Sequence, residues 1–274
     1  MVEVDAIGQR HARAEGEIRI VSLVPSLTEL VFDLGLGAQL VGRTGFCIHP
    51  RERLRDVPKV GGTKDVDLER VRALRPTHLI VNIDENEKPT VEALRADVPV
   101  ILVTHPVEVE DNLGLYRLFG HVFSCQPRAQ ALARELETAL AEARAARFAP
   151  ARVLYLIWRR PWMTVSAQTY IARMLATVGL ESVSPPSDQR YPEVDLERFG
   201  PDRFDAVLLS SEPYRFTEAH ARELEADPVL GGRPVATIDG EMTSWYGSRA
   251  IAGLRYLVAF RRALDARLGL GSTA

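Results

Sequence analysis

Two copies of one pentapeptide organise this chain, Val66-Asp67-Leu68-Glu69-Arg70 and Val194-Asp195-Leu196-Glu197-Arg198. Each copy is followed, at the same offset, by a short apolar run, at residues 78–81 and 206–209. A polar segment that leads into an apolar run of this length predicts a helix followed by a buried strand. A match in both sequence and context predicts two similarly built halves, with Glu69 and Glu197 at equivalent places.

The composition is that of an ordinary globular protein. The chain has 274 residues, of which 46% are hydrophobic and 26% charged, enough for one large domain or two modest ones. A net charge of −3 and the lack of a Lys/Arg cluster argue against nucleic-acid binding. No apolar run approaches the roughly 20 residues of a membrane span, and two cysteines do not form a disulfide framework. We therefore expect a chain that does not insert into membranes, and we also expect it to be a monomer.

The first residues bear on location. Residues 1–5 are acidic and residues 7–16 are polar and charged, and together they lack the basic and apolar regions of a signal peptide. As the sequence stands, we expect a cytoplasmic protein. If a leader has been removed, the expected location is periplasmic.

Strand-like and helix-like segments alternate along the chain, which predicts an α/β fold with mainly parallel sheets. Ser26 is predicted to cap the first helix, with Glu29 as its capping-box partner. The predicted strands are 18–23, 40–42, 79–81, 98–103, 152–157, 206–209 and 235–238. The predicted helices are 27–34, 68–74, 90–96, 127–148, 170–178, 217–226 and 248–268.

One of these helices lies between the two copies of the pentapeptide. Its segment contains no Gly or Pro between Pro127 and Pro150, and apolar residues recur at helical spacing. We predict a helix of about 20 residues that joins two α/β lobes. The predicted domains are an N-terminal lobe at 1–123, the connecting helix at 124–149 and a C-terminal lobe at 150–274. An ordinary covering helix in a single domain is the alternative.

The candidate ligand contacts share one property, a position beyond the end of a predicted strand or in the loop that follows it. Ligands of open α/β sheets bind beyond the carboxyl ends of the strands. Tryptophan beside arginine suits a large, partly flat, polar ligand, with arginine and lysine meeting its negative groups. The candidates are Ser26, Phe46, Lys64, Glu85, Trp158, Arg159, Trp162, Glu212, Tyr214, Trp245, Tyr246 and Arg249.

Two further residues raise the question of direct metal binding. Cys47 and His49 lie two apart in a predicted loop, a spacing that places two ligands near one metal ion. The alternative is a packed cysteine beside a histidine that caps a turn. Potential nucleophiles such as Ser26, Cys47 and Ser210 lie in no recognisable catalytic motif. We therefore expect binding without catalysis.

Two stretches resemble a known family. Arg19-Ile-Val-Ser-Leu-Val-Pro-Ser-Leu-Thr-Glu-Leu30, and then residues 66–76 before a strand, resemble the class III periplasmic binding proteins. These are bilobed receptors of ABC importers for vitamin B12, ferric siderophores, haem and some metals. The resemblance runs from about residue 5 to the last helix, and the most similar members are the cobalamin-binding and helical-backbone metal receptors.

The resemblance implies a mechanism as well as a fold. It implies two α/β lobes joined by one long rigid helix, a ligand cleft between them, and no catalytic cofactor. It also assigns one surface glutamate per lobe, here Glu69 and Glu197, to salt bridges with arginines of the ABC permease. We therefore expect a corrinoid or metal chelate, cobalamin-like or a ferric siderophore, to be held for an ABC importer.

The sequence also departs from the family. It shows no export signal, and residues 44–50 and 84–88 differ from what is typical of the vitamin B12 receptors. The alternative function is therefore a cytoplasmic metal- or chelate-handling protein, or an enzyme on the same fold. Cys47, His49 and Glu85 would act in that alternative.

Overall fold

Helices and strands alternate along the chain as the sequence pattern predicts, in a computed structural model that describes residues 2–269. The strands are β1 (Glu3–Val4), β2 (Arg10–His11), β3 (Ile20–Ser22), β4 (Leu40–Arg43), β5 (His78–Asn82), β6 (Val100–Thr104), β7 (Ala151–Trp158), β8 (Met163–Thr164), β9 (Leu180–Ser182), β10 (Ala206–Ser210) and β11 (Val235–Ile238). The helices are α1 (Pro25–Asp33), α2 (Leu68–Ala73), α3 (Lys88–Leu94), α4 (Asp111–Val122), α5 (Gln126–Ala145), α6 (Tyr170–Ala176), α7 (Leu196–Phe199), α8 (Glu218–Glu225), α9 (Gly240–Ser244) and α10 (Arg249–Leu268).

The two main sheets share one topology. In the first, four parallel strands run in the order β4-β3-β5-β6. In the second, parallel strands run in the order β9-β7-β10-β11, with β8 antiparallel beside β7. In both sheets, the parallel strand that comes first along the chain lies between the second and the third, and the fourth lies beside the third. The repeated pentapeptide opens α2 and α7, and each of these helices leads into the third strand of its sheet. The α/β fold with mainly parallel sheets is confirmed.

The chain divides into two compact units. The first unit contains residues up to Pro106, then Glu110–Leu136 and Tyr246–Arg249. The second contains Val107–Val109, Glu137–Trp245 and the residues from Ala250 onward. The change from one unit to the other falls inside α5, a 20-residue helix of the length that the sequence predicts.

Each unit has its own apolar core. β5 and β10 are buried along their whole length, as expected for central strands covered on both faces. The first core includes Val21, Leu79 and Ile101, and the second includes Leu154, Val207 and Phe216. These cores fix the strands from which the site loops leave. Within residues 2–269, no helix combines the length and the apolar character needed to cross a bilayer.

The start of α1 differs from the prediction. The helix begins at Pro25, and its cap residue is Val24, which makes no side-chain cap hydrogen bond. Proline suits the first helical turn because its fixed φ is already helical and its missing N–H would have no partner there. Ser26 is therefore inside the helix, and the prediction that it caps the helix is wrong.

Some elements were not predicted at all. Helix α4 contains Gly114 and Gly120, which lower helix propensity and hide its pattern. The β1–β2 hairpin has strands of two residues each, too short for a period-2 signal. Helix α9 forms where the sequence indicated a loop, with Asp239 as its cap.

Candidate ligand-binding surfaces

The second unit presents a group of aromatic side chains where β7 and β10 end. Trp158, the last residue of β7, meets Tyr214 edge-on with ring centroids 5.6 Å apart. Trp162 stacks on Phe216 at 6.0 Å, and Tyr214 lies 4.6 Å from Phe216. The ring of His220 packs edge-on against Tyr214 and Phe216, at 5.8 Å from each. We call these five residues the aromatic platform.

The residues of the platform differ in how far they are exposed to solvent. Phe216 is 4% exposed and forms its floor, whereas Trp158 is 40% exposed. Trp162 and Tyr214 are half-buried. A ring that is fixed by neighbours yet still reaches solvent offers stacking area at little cost in conformational entropy. The sequence predicted Trp158, Trp162 and Tyr214 as contacts but did not select Phe216, which lies in the same loop as Tyr214, or His220, which lies inside α8.

A guanidinium is fixed beside the platform. Arg159 lies over the Trp162 ring, with its central carbon 5.4 Å from the ring centroid. Its two terminal nitrogens donate to Glu223 at 2.5 and 3.1 Å, a two-point carboxylate contact. The contact lowers the pKa of the Glu223 carboxyl, with its hydrogen bond to Arg159 as the main cause. Arg159 is thus held as a cation over an aromatic face.

Glu212 and Trp245 are paired with each other. The indole Nε1 of Trp245 donates to Glu212 Oε1 at 2.9 Å, and Ser244 Oγ donates to the same oxygen at 2.6 Å. Burial raises the pKa of the Glu212 carboxyl. A Cβ on Gly240 would come within 2.4 Å of Glu212 Cγ, so only glycine allows this approach. Trp245 is 8% exposed, and its polar edge is occupied by Glu212.

The first unit exposes large apolar side chains beyond β4 and β5. Phe46, Ile48 and Ile83 are 62%, 43% and 46% exposed, and we call them the Phe46 patch. A Cβ on Gly62 would lie 3.3 Å from the Phe46 ring, so this ring lies close to the loop that carries the exposed Lys64. The sequence predicted Phe46 and Lys64 but not the two isoleucines.

Asn86 ties together the loops at this edge of the first sheet. Its Oδ1 accepts the backbone N–H of Asn82 at 2.9 Å. Its Nδ2 donates to the carbonyls of Leu23 at 3.2 Å and Thr63 at 2.9 Å. One buried amide thus joins the ends of β3 and β5 to the loop before Lys64. The sequence gave no sign of this role, which depends on three segments far apart in the chain.

Three of the predicted polar ligand contacts lie close together in the first unit. Glu85 accepts a hydrogen bond from the hydroxyl of Tyr246, and the Ser26 hydroxyl lies near the same group. Burial raises the pKa of the Tyr246 hydroxyl well above its ordinary value, and the charge of Glu85 raises it further. Beside them, Asp84 and His105 lie 3.4 Å apart between Oδ2 and Nε2.

Arg249 is already held by an acid of the first unit. Two of its nitrogens donate to the two carboxylate oxygens of Glu29, each at 2.7 Å. The two side chains are 11% and 19% exposed. Glu29 is thus an ion-pair partner, and its predicted place in a capping box is wrong.

Cys47 lies in an enclosed position. It is 0% exposed, and its Sγ lies 3.1 Å from Thr28 Oγ1 and 3.2 Å from Thr44 Oγ1. Burial raises the pKa of the thiol, which disfavours the thiolate that metals require. Residues 2–269 contain no cluster of three or more His, Cys, Asp or Glu side chains suited to a metal ion. This environment favours a packed cysteine over a metal site with His49.

The two glutamates of the pentapeptides occupy matching positions. Glu69 and Glu197 are each the second residue of their helix, α2 and α7, and each is exposed. Glu69 Oε1 accepts from Arg72 at 2.6 Å. The prediction that both contact a permease stays a prediction.

The sequence matches known proteins along most of its length. The family model described as "Periplasmic binding protein" matches residues 20–236. The vitamin B12-binding protein of Pectobacterium atrosepticum is 24% identical over 223 residues, covering 77% of this chain and 79% of that protein. The vitamin B12-binding protein of Yersinia pseudotuberculosis is 26% identical over 203 residues, covering 72% and 71%.

Solved structures show the same fold. The periplasmic vitamin B12-binding protein of Vibrio cholerae superposes with a TM-score of 0.77 at 18% identity, covering 90% of this chain and 97% of that one. A periplasmic heme-binding protein from Roseiflexus sp. RS-1 gives 0.77 at 24% identity, covering 90% and 99%. These relatives are binding proteins, in agreement with the expectation of binding without catalysis. With its family model matched from the first strand of the first sheet into the last strand of the second, the chain belongs to the periplasmic binding protein family.

Proposed function

We propose that the chain is the solute-binding protein of an ABC importer and that its ligand is a large, flat metal macrocycle, a corrinoid or a haem. The observation that carries this proposal is the aromatic platform. Its rings are fixed by mutual contacts, yet Trp158 is 40% exposed at the end of β7. Free aromatic faces fixed in this way bind planar ligands by stacking and apolar burial.

The first unit adds a second apolar surface for such a ligand. The Phe46 patch lies beyond the strands that correspond, in sheet order, to β9 and β10 of the second unit. Surfaces at the carboxyl ends of parallel strands are where open α/β sheets bind ligands. A position of the ligand between the two units stays a prediction from the sequence.

The names of the relatives support the choice of ligand class. The curated relatives named above are vitamin B12-binding proteins, and the solved structures named above bind vitamin B12 or heme according to their names. A corrinoid and a haem share a flat macrocycle with a central metal. The ferric siderophore has less support, because none of the relatives named above is named for binding one. The bare metal ion has less support because Cys47 is enclosed and its thiol pKa is raised.

Calorimetric titration of the purified chain with cyanocobalamin and with hemin tests the proposal. We expect saturable binding of at least one of them, with quenching of tryptophan fluorescence through the exposed Trp158. A compact ferric siderophore serves as the comparison ligand and should bind far more weakly. Absence of binding by both macrocycles would contradict the proposal.

A further inference from the structure

The aromatic platform is interleaved with arginines in the sequence, and one of them, Arg159, lies over the ring of Trp162. The segments are Trp158-Arg159-Arg160-Pro161-Trp162 and Tyr214-Arg215-Phe216. Arg160 and Arg215 are both exposed. Among residues 2–269, neither of these two arginines takes part in an ion pair.

We propose that this surface selects anionic ligands, planar macrocycles with free carboxylate groups on their edge, over the same rings with amide or ester groups. The inference rests on the proposed function, because it names the chemical class of ligand that the same site prefers. It goes beyond that function, since a binding platform of aromatic rings alone would not distinguish an acid from its ester.

The local balance of charge supports this selectivity. Glu223 is the carboxylate bound by Arg159, and the charges of His220 and Arg160 also act to lower its pKa. Glu223 is therefore paired with Arg159 alone, and among residues 2–269 the charges of Arg160 and Arg215 are not balanced by an ion pair. Two other acids, Glu212 and Glu218, lie close to the platform segments in the sequence. Glu212 accepts hydrogen bonds from Ser244 and Trp245, and Glu218 accepts one from Thr237.

The geometry of the fixed arginine supports it as well. Arg159 is oriented by its two-point contact with Glu223 and by the ring of Trp162. Arg160 lies two residues before Trp162 and Arg215 directly after Tyr214, and both are exposed, so their side chains are available to the edge of a ligand stacked on the platform. Arginine binds carboxylates through paired, charge-assisted hydrogen bonds, which esters and amides cannot accept with comparable strength.

The test compares each ring system with and without its carboxylates. The full chain is titrated with hemin and hemin dimethyl ester in one detergent buffer, and with cyanocobalamin and its monocarboxylic acid derivative. For a ring system that binds, we expect the carboxylate form to bind on the order of tenfold more tightly. Raising the salt concentration from about 0.05 M to about 0.5 M should reduce that ratio, because ions screen exposed charges.

Variants assign the effect to the named side chains. The double substitution Arg160→Gln and Arg215→Gln should bring the ratio of acid to ester affinity close to one. Arg262→Gln, which removes an exposed arginine of α10, is the matched control and should leave the ratio unchanged. A ratio near one in the unmodified chain, or a ratio that the double variant does not alter, overturns the inference while the proposed function stands. If neither ring system binds, the proposed function and the inference both fail.

Discussion

Asp67 and Asp195 accept hydrogen bonds from equivalent backbone amides in the two halves of the molecule. Asp67 Oδ1 accepts the N–H of Arg70 at 3.1 Å, and Asp195 Oδ1 accepts the N–H of Arg198 at 3.2 Å. Each aspartate is the cap of the helix that its pentapeptide begins, and each helix leads into a buried central strand. The repeated sequence is thus a repeated structural device, which sets the direction of the chain as it enters the sheet.

Removal of either cap should lower stability. We expect Asp67→Ala and Asp195→Ala each to lower the free energy of unfolding by about 1 kcal/mol, since helix amides lose their acceptor. Urea unfolding followed by circular dichroism measures the change. Asp56→Ala, at an exposed position, is the control and should stay within about 0.5 kcal/mol of the unmodified chain. Equal stability of cap and control variants would show that the aspartates are not structural.

The fold could be predicted from sequence where the signal is local. β5, β10 and β11 are runs of apolar residues bounded by polar ones, and their bounds agree with the prediction within one residue. The β1–β2 hairpin has strands too short for a periodic signal, and a distant contact helps to hold it. Asp5 Oδ2 accepts the N–H of Val103 at 3.2 Å, across 98 residues of chain.

The site was predictable only in part for the same reason. Trp158 and Tyr214 were found because both follow strand ends, where a position in the chain decides a position on the sheet. The partners of Glu212 and Arg249 were not found, because the pairs Glu212–Trp245 and Arg249–Glu29 are 33 and 220 residues apart. Sequence thus indicated which residues lie at the edge of a sheet, whereas tertiary contacts decide which of them are already engaged.

Arg261 should be among the most sensitive positions for stability. It is 0% exposed, and its guanidinium donates to the carbonyls of Ala149 at 2.7 Å and Gly179 at 3.0 Å and to Asp265 at 2.6 Å. We expect Arg261→Met to cost about 3 kcal/mol, because buried acceptors and one carboxylate lose their donor. Denaturant unfolding measures the loss.

The neighbouring residue of the same helix provides the control for that substitution. Arg262 is exposed, so Arg262→Met should change the unfolding free energy by less than about 0.5 kcal/mol. If the two variants were equally stable, the buried arginine would not contribute as the hydrogen bonds suggest.

His78 should make stability depend on pH. Burial, with a smaller contribution from the charge of His11, lowers the pKa of His78 to about 4 from an ordinary value of 6.5. As the pH falls from 6.5 to 4, this histidine becomes protonated in the unfolded chain but stays neutral in the folded chain. The free energy of unfolding therefore decreases as the pH falls through this window. The loss is complete near pH 4 and amounts to at most about 3 kcal/mol.

Unfolding experiments at several pH values measure this dependence. His78→Gln should make the stability curve flatter between pH 6.5 and 4 than that of the unmodified chain. His49→Gln, at a half-exposed position, is the control and should keep the slope. An unchanged slope in His78→Gln would exclude this histidine as the source.

Trp158 should contribute directly to ligand binding. It is 40% exposed and contacts Tyr214 edge-on, so Trp158→Ala removes stacking area without opening a buried cavity. We expect about a tenfold loss in affinity for the macrocycle that binds, equivalent to about 1.4 kcal/mol, while Trp158→Phe keeps most of the affinity. Titration calorimetry gives both values. An alanine variant that binds as tightly as the phenylalanine variant would remove this ring from the site.

Glu69 and Glu197 should matter for transport and not for ligand binding. Both are exposed, they lie at matching positions of α2 and α7, and neither belongs to the aromatic platform or to the Phe46 patch. The double substitution Glu69→Lys and Glu197→Lys reverses both charges and should change macrocycle affinity by less than about twofold. It should abolish ligand uptake by cells of the source organism that carry only this variant, because arginines of a permease would then face lysines. Uptake of labelled ligand and calorimetry on the purified variant together measure the two effects.

The single substitutions refine this prediction. Glu69 forms an ion pair with Arg72, with 2.6 Å between Oε1 and the guanidinium nitrogen, whereas no ion pair of residues 2–269 involves Glu197. Because an unpaired carboxylate needs no rearrangement before it meets a new partner, Glu197→Lys should reduce uptake more than Glu69→Lys does. Glu52→Lys together with Glu181→Lys, one exposed glutamate from each unit, makes the matched control and should transport normally. If reversal at Glu69 and Glu197 also left uptake normal, the proposed contact with a permease would be wrong, whereas a loss of ligand affinity would mean that these glutamates support the binding surfaces instead.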